Sequence, residues 1–255
     1  MAVGMVLLLA YGMEYLFALE PTGKVPSVTS QETTATAAAA RTATSPATTA
    51  PTLTRTDGAV HIRVPYLSQE GYPTGCESAA AVMLLRFYGV PIDMDTFIDR
   101  HLDCGTITWT SAGLTAPHPA EQFVGDPRSS AAYGCYAPVI VRALQSALPS
   151  GRRAVDVSGQ TLPELCSRYI DRGHPVLVWA TMGMKSMYAG DSWTVASTGK
   201  KFTWPAREHC LVLTGYDKDN YYFNDPDGAM GEVAYARAVC ESRYYELGRQ
   251  AIAVE

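Results

Sequence analysis

QEGYPTGCESAAAVMLLRFYG, residues 69–89, sets a glutamine, a short turn and then a cysteine in the first turn of a buried helix. Thr74 and Glu77 have the S/T-x-x-E spacing of a capping box, which makes Thr74 the N-cap and Gly75 and Cys76 the first two helical residues. Residues 79–88 are apolar on nearly every face except at Arg86, and a helix apolar all round belongs in a core. Gly89 suits the position just past the helix end, and Pro91 prevents continuation. The Cys76 thiol then sits among free backbone N–H groups at the positive end of a helix dipole. Both favour thiolate, the nucleophilic form. Cys is also among the most buried residue types, so its position alone leaves a structural reading equally open.

The chain has 255 residues and a formal net charge of −5, with no basic patch that would argue for nucleic acid. Residues 1–19 are apolar apart from Gly4, Tyr11, Gly12, Glu14 and Tyr15. That suits a signal-peptide core and approaches the ~20 residues of a membrane span. Its flank is atypical, because the first basic residue is Lys24. Residues 28–57 are rich in Thr, Ala, Ser and Pro with almost no large apolar side chain. Such a stretch buries too little surface to offset its ordering entropy. The expected layout is a signal peptide or anchor over 1–27, a disordered stalk over 28–57 and a folded domain over 58–255. That is the layout of an extracytoplasmic protein, secreted or tethered at the cell surface through residues 1–19.

Of the six cysteines, Cys104 and Cys135 fall in loop-like sequence and form the one pair that suggests a disulfide. No C-x-x-C occurs, which argues against structural zinc, and no cofactor is expected.

Past the stalk, residues 61–67 read as a short strand. Residues 91–102 open extended and become a second helix capped by Asp95 or Thr96. Residues 104–128 read as a long ordered loop. A helix follows over 136–148. A second capping box, Thr161 and Glu164, opens a helix that runs to Arg172 and stops at Gly173. The pattern then changes. Residues 175–181 form a buried strand, 182–205 an irregular segment, and 208–216 and 221–224 a hairpin around the turn 217–220. A strand over 232–235, a helix over 236–247 and a strand over 250–254 complete the chain. Helices first and strands later imply an α+β fold, with helices packed on a mostly antiparallel sheet.

A cysteine nucleophile needs a base, a group that orients the base, and an oxyanion donor. Of the five histidines, His209 stands at the start of a buried strand, 133 residues beyond Cys76. Papain-like enzymes place the base ~130–150 residues after the nucleophile. Asp225, on the returning strand, suits the orienting role, with Asp227 and Asn224 as alternatives. Register tests this choice. With a four-residue loop, Tyr216 pairs with Tyr221 and Asp225 opposes Val212, which puts it on the wrong face for His209. One bulge restores the shared face, so a His209–Asp225 pair requires an irregular hairpin. Asp225 is also a sufficient turn former in Asn-Asp-Pro-Asp-Gly. Gln69 reads either as a loop residue or as a side-chain amide that joins the Cys76 N–H in stabilising an oxyanion.

Four segments carry a family resemblance: VPYLSQEGYPTGCESAAAVMLLRFYGV (64–90), FVGDPRSSAAYGCYAPVI (123–140), GHPVLVWAT (173–181) and EHCLVLTGYDKDNYYFNDPDG (208–228). Together they resemble the C39-like cysteine peptidases, papain-fold bacterial proteins related to the leader peptidases of bacteriocin exporters. The resemblance spans roughly residues 64–235. It implies a papain-like fold and a catalytic set of Gln69, Cys76, His209 and Asp225. It also implies a peptide or protein substrate, with cell-wall peptide as one option. The readings are a secreted peptidase, an amidase or transpeptidase of cell-wall peptide, or a surface binding module on the same scaffold.

Overall fold

The computed structural model describes residues 52–111, 113–227 and 230–255. The apolar segment 1–19 and residues 28–51 of the expected stalk lie outside the described residues. Among the described residues, no helix is long and apolar enough to cross a membrane.

A hairpin comes first: β1 (Leu53–Thr56) and β2 (Ala59–Ile62), turned at Asp57 and Gly58, both with positive φ. This corrects the boundary at residue 58. Residues 53–56 are exposed side chain by side chain, yet their backbone pairs along β2 from Leu53–Ile62 to Thr56–Ala59. A Thr-rich stretch needs no core of its own when a half-buried strand supplies its hydrogen bonds.

Helix α1 (Cys76–Phe87) is buried along almost its whole length, as its apolar sequence requires. Its start differs from the expectation. Gly75 is the N-cap, and no side chain caps the helix. Thr74 instead donates its hydroxyl to the carbonyls of Pro127 and Ser129, at 3.5 and 3.3 Å. Glu77 turns inward rather than back over the helix start. Gly89 closes the helix with φ of 84°, the left-handed value that favours glycine. Helix α2 (Met94–Arg100) starts earlier than expected, because Asp93 accepts from the Thr96 N–H at 2.7 Å and is the true cap.

The expected loop 104–128 contains four short strands: β3 (Cys104–Gly105), β4 (Thr108–Thr110), β5 (Gly113–Ala116) and β6 (Phe123–Val124). Helix α3 (Ala137–Ala147), β7 (Ala154–Asp156) and α4 (Leu162–Arg168) follow. The capping box of Thr161 and Glu164 is present on α4, and a 3-10 turn carries the chain to Gly173. After β8 (Val176–Thr181), the segment read as irregular forms a hairpin, β9 (Tyr188–Val195) and β10 (Lys201–Ala206). The last elements are β11 (Glu208–Tyr216), β12 (Asn220–Asp225), β13 (Gly231–Ala236), α5 (Arg237–Glu246) and β14 (Ala251–Val254).

The main sheet is antiparallel and has eight strands, in the order β1-β2-β11-β8-β14-β7, with β12 paired to β11 and β13 paired to β12. Val212 pairs with both Leu177 and Asn224, so β8 and β12 flank β11 on opposite edges. Helix α1 packs on β11 and β8, with α2 and α3 beside it, while α5 packs on β8, β12 and β13. A four-stranded sheet, β10-β9-β5-β4, builds a second core around Trp193, Trp204, Leu114 and Val124. All six cysteines are free, Cys104 exposed and Cys135 buried, so the disulfide suggested by the sequence does not form.

Candidate active site

Cys76 is the first residue of α1 and only 6% exposed. Two contacts fix the turn before it. The Thr74 N–H donates to the Pro127 carbonyl at 3.3 Å. Arg128 in turn donates to Asp95 and Asp99 of α2, at 3.0 and 2.8 Å. Gln69 is joined to the far side of the site, because its backbone N–H donates to the Pro226 carbonyl at 2.8 Å, one residue past Asp225. The Gln69 side-chain amide donates to the Tyr72 carbonyl at 3.3 Å. An amide carries two N–H donors, so one remains for another acceptor.

The β11–β12 hairpin has the irregularity that the His209–Asp225 pair requires. The turn has four residues and Tyr216 pairs with Tyr221, but the register shifts between Leu213 and Gly215. Thr214 is the extra residue of a bulge. Asn224 therefore pairs with Val212, Asp225 falls opposite Leu211, and His209 is two residues from that position on the same face. The His209 Nε2–H donates to Asp225 Oδ1 at 2.6 Å, with His209 1% and Asp225 0% exposed. The carboxylate can only accept, so Nε2 carries the proton and Nδ1 is left as the basic nitrogen. Asp225 Oδ1 also accepts the Asp227 N–H at 3.0 Å. Neither alternative orienter holds the ring. Asp227 meets Asp225 through its backbone, and Asn224 donates to the Val64 carbonyl at 3.1 Å.

The sulfur's surroundings differ from the sequence expectation. Among the described residues its hydrogen-bond partner is Glu77, whose Oε2 accepts from the thiol at 3.2 Å. The expected bond from the sulfur to the imidazole is not made in this arrangement. The backbone N–H of Cys210, one residue past His209 on β11, favours the charged sulfur. Burial raises the thiol well above its usual range, and the Glu77 and Glu208 carboxyls raise it further. A helix terminus contributes only about half an elementary charge. Burial and the adjacent Glu77 carboxyl work against it and favour the thiol form.

Glu77, read from the sequence as part of a cap, and Glu208, given no role there, also line the candidate site. Both are buried. Glu77 Oε1 accepts the Cys135 N–H at 2.6 Å, and a Cβ at Gly134 would collide with that oxygen. Burial raises the Glu77 carboxyl to about 7, opposed by the Cys135 N–H, its own N–H, the Cys76 thiol and the charge of His209. Burial and the neighbouring Glu77 push Glu208 well above the carboxylate range. One atom each from Cys76, Glu77 and Glu208 lies within 4.8 Å of the others, the spacing a metal ion would need. The Glu77 oxygens are already taken by N–H and S–H donors, whereas Glu208 Oε1 is buried without a partner. A glutamate inside an all-apolar helix was the available signal, and the capping-box pattern masked it.

Residues 61–252 match the model of the Peptidase_C39 like family. The uncharacterized Bacillus subtilis (strain 168) protein YvpB is 24% identical over 181 residues, 71% of this chain and 69% of that protein. A crystal structure from Bacillus anthracis, described as a candidate C39-like peptidase, superposes with a TM-score of 0.68 at 25% identity. That match covers 78% of this chain and 98% of the other. The peptidase domain of Streptococcus ComA, a bi-functional ABC transporter in a quorum-sensing pathway, aligns with a TM-score of 0.42 at 14% identity, covering 75% of this chain and 94% of that one.

Proposed function

The chain belongs to the Peptidase_C39 like family and has its α+β, papain-like fold, and from that premise we propose that it is a cysteine peptidase that hydrolyses peptide bonds. The observation that carries this reading is the buried His209–Asp225 pair, set by a bulge beside the cysteine that opens α1. In the proposed reaction His209 Nδ1 takes the Cys76 proton and the sulfur attacks the scissile carbonyl. The Cys76 N–H and the free N–H of Gln69 Nε2 stabilise the oxyanion. The imidazolium then gives its proton to the leaving amine. Water, activated by the same imidazole, releases the acyl group from sulfur. Asp225 holds the ring and its tautomer throughout.

Residues 1–19, with the Thr/Ala-rich stretch after them, support an extracytoplasmic location at or near the cell surface. Cell-wall peptide is one substrate such a location would offer. Incubating the full chain with a peptide library, beside a Cys76→Ser variant, tests the activity. Bond cleavage lost in the variant supports the reading. A wild-type protein that folds but cleaves no member of a broad library counts against it.

A further inference from the structure

We propose that Glu77 is a positioning residue that holds the resting Cys76 as a thiol bonded to Glu77 rather than to His209, with a protonated Glu208 keeping the Glu77 carboxylate in place. The inference rests on Cys76 being the nucleophile. It concerns which partner the sulfur has before substrate arrives.

Geometry carries it. The thiol donates to Glu77 Oε2 at 3.2 Å, and the opposite oxygen of that carboxyl is pinned by the Cys135 N–H at 2.6 Å. Gly134 leaves room for that oxygen, which any larger residue there would displace. Glu208 lies within 4.8 Å of both groups, and its Oε1 is buried with no hydrogen-bond partner. Two carboxyls this close and this dry do not both ionise. Glu77 has the donors, so Glu77 takes the charge. An ionised Glu208 would leave a bare anionic oxygen in the interior, whereas a protonated one leaves a neutral hydroxyl.

The groups that face this cluster come from three elements and from the segment before α3. They are Cys76 and Glu77 on α1, Glu208, His209 and Cys210 on β11, Cys135 and Tyr136 just before α3, and, through His209, Asp225 on β12. His209 is their one candidate cation, and once protonated it favours the ionised Glu77. Activation therefore moves the S–H from Glu77 to His209. The S–H bond breaks and an N–H bond forms at Nδ1. A neutral pair becomes thiolate and imidazolium, with no change in net charge. The S–H bond to Glu77 and the charge of that carboxyl both oppose the thiolate, which protects the resting thiol.

The test reads thiol chemistry and needs no peptide substrate. Infrared difference spectra of wild type minus Cys76→Ala at pH 7 should show an S–H stretch. Iodoacetamide alkylation of Cys76, mapped by mass spectrometry across pH, should be about tenfold or more faster at pH 7 in Glu77→Gln. Removing a charge at hydrogen-bond distance lowers a thiol pKa by at least about one unit. Glu208→Gln should change the rate far less, because Gln copies the shape of the neutral acid. Absence of the S–H band, an unchanged or slower Glu77→Gln, or a larger effect from Glu208→Gln would overturn the proposal. Should Glu77→Gln fail to fold, the S–H band and Glu208→Gln decide it. A protein that alkylates as expected but cleaves no peptide would refute the peptidase reading and leave this one standing.

Discussion

Replacing Asp225 separates its two contributions, to the fold and to the chemistry. In the wild type Oδ1 accepts two N–H groups, from His209 at 2.6 Å and from Asp227 at 3.0 Å, while Oδ2 is buried without a partner. Asp225→Ala removes both acceptors and leaves the His209 ring buried with an orphaned donor. Each of the two donors left without its acceptor costs about 1–3 kcal/mol, roughly 2–6 kcal/mol together. For a folded unit of this size each kcal/mol lowers Tm by about 2–4 °C, so the expected drop is roughly 4–24 °C. Asp225→Asn is milder. Its carbonyl oxygen can take the place of Oδ1 and accept both bonds. Its NH₂ then lies where Oδ2 was, in a pocket with no acceptor, at a cost of about 1–3 kcal/mol. Catalysis should also fall, by about 10²–10⁴ in kcat, because the imidazole loses the charge that steadies it during proton transfer. Differential scanning calorimetry and peptide hydrolysis, run on both variants, check the two parts separately. An Asp225→Ala protein with wild-type Tm and wild-type kcat would refute the reasoning outright.

Gln69→Ala should lower kcat by about 10²–10³, the effect of losing one oxyanion donor; a change confined to KM in steady-state assays would assign Gln69 to substrate binding instead. Gly134→Ala should destabilise the protein by about 1–3 kcal/mol in urea titrations, because its Cβ collides with Glu77 Oε1. Stability should fall as pH rises from mildly acidic values to neutrality. Glu77 is raised from 4.5 to about 7, so the folded state holds a proton that the unfolded chain releases, and the loss of about 3 kcal/mol accrues between those values. Glu208, raised further, extends the loss above pH 7, so Tm measured from pH 5 to 8 should decline throughout in wild type, while in Glu208→Gln the decline should level off near pH 7.

The main sheet and its helices were legible because their patterns are strong. The apolar run of α1, the capping box of α4 and the uninterrupted β8 and β11 each carry a period or a cap that only one structure satisfies. Hairpin β9–β10 and strands β3 to β6 were not. Their Gly, Ser and Thr residues form strands that bury few side chains outward of Trp193 and Trp204, so little alternation reaches the sequence. The need for a bulge in the β11–β12 hairpin, if His209 and Asp225 are to meet, followed from counting register, although its position at Thr214 did not. Gly215 supplies a reason for that position: a side chain there would strike the Val60 carbonyl of β2. Glu77 escaped because its spacing from Thr74 fits a cap. The competing attraction, the Cys135 N–H, lies 58 residues away in sequence and is visible only once the chain is folded.

The central claim is that Cys76 forms the covalent intermediate. Acid quenching of the full chain during turnover of a cleavable peptide, followed by proteolysis and mass spectrometry, locates any acyl group directly. The account predicts one acyl adduct, on the fragment that contains Cys76, accumulating in wild type, greatly slowed in His209→Ala and absent in Cys76→Ser with its fold intact. An adduct on any other residue, or steady hydrolysis by Cys76→Ser, would contradict it.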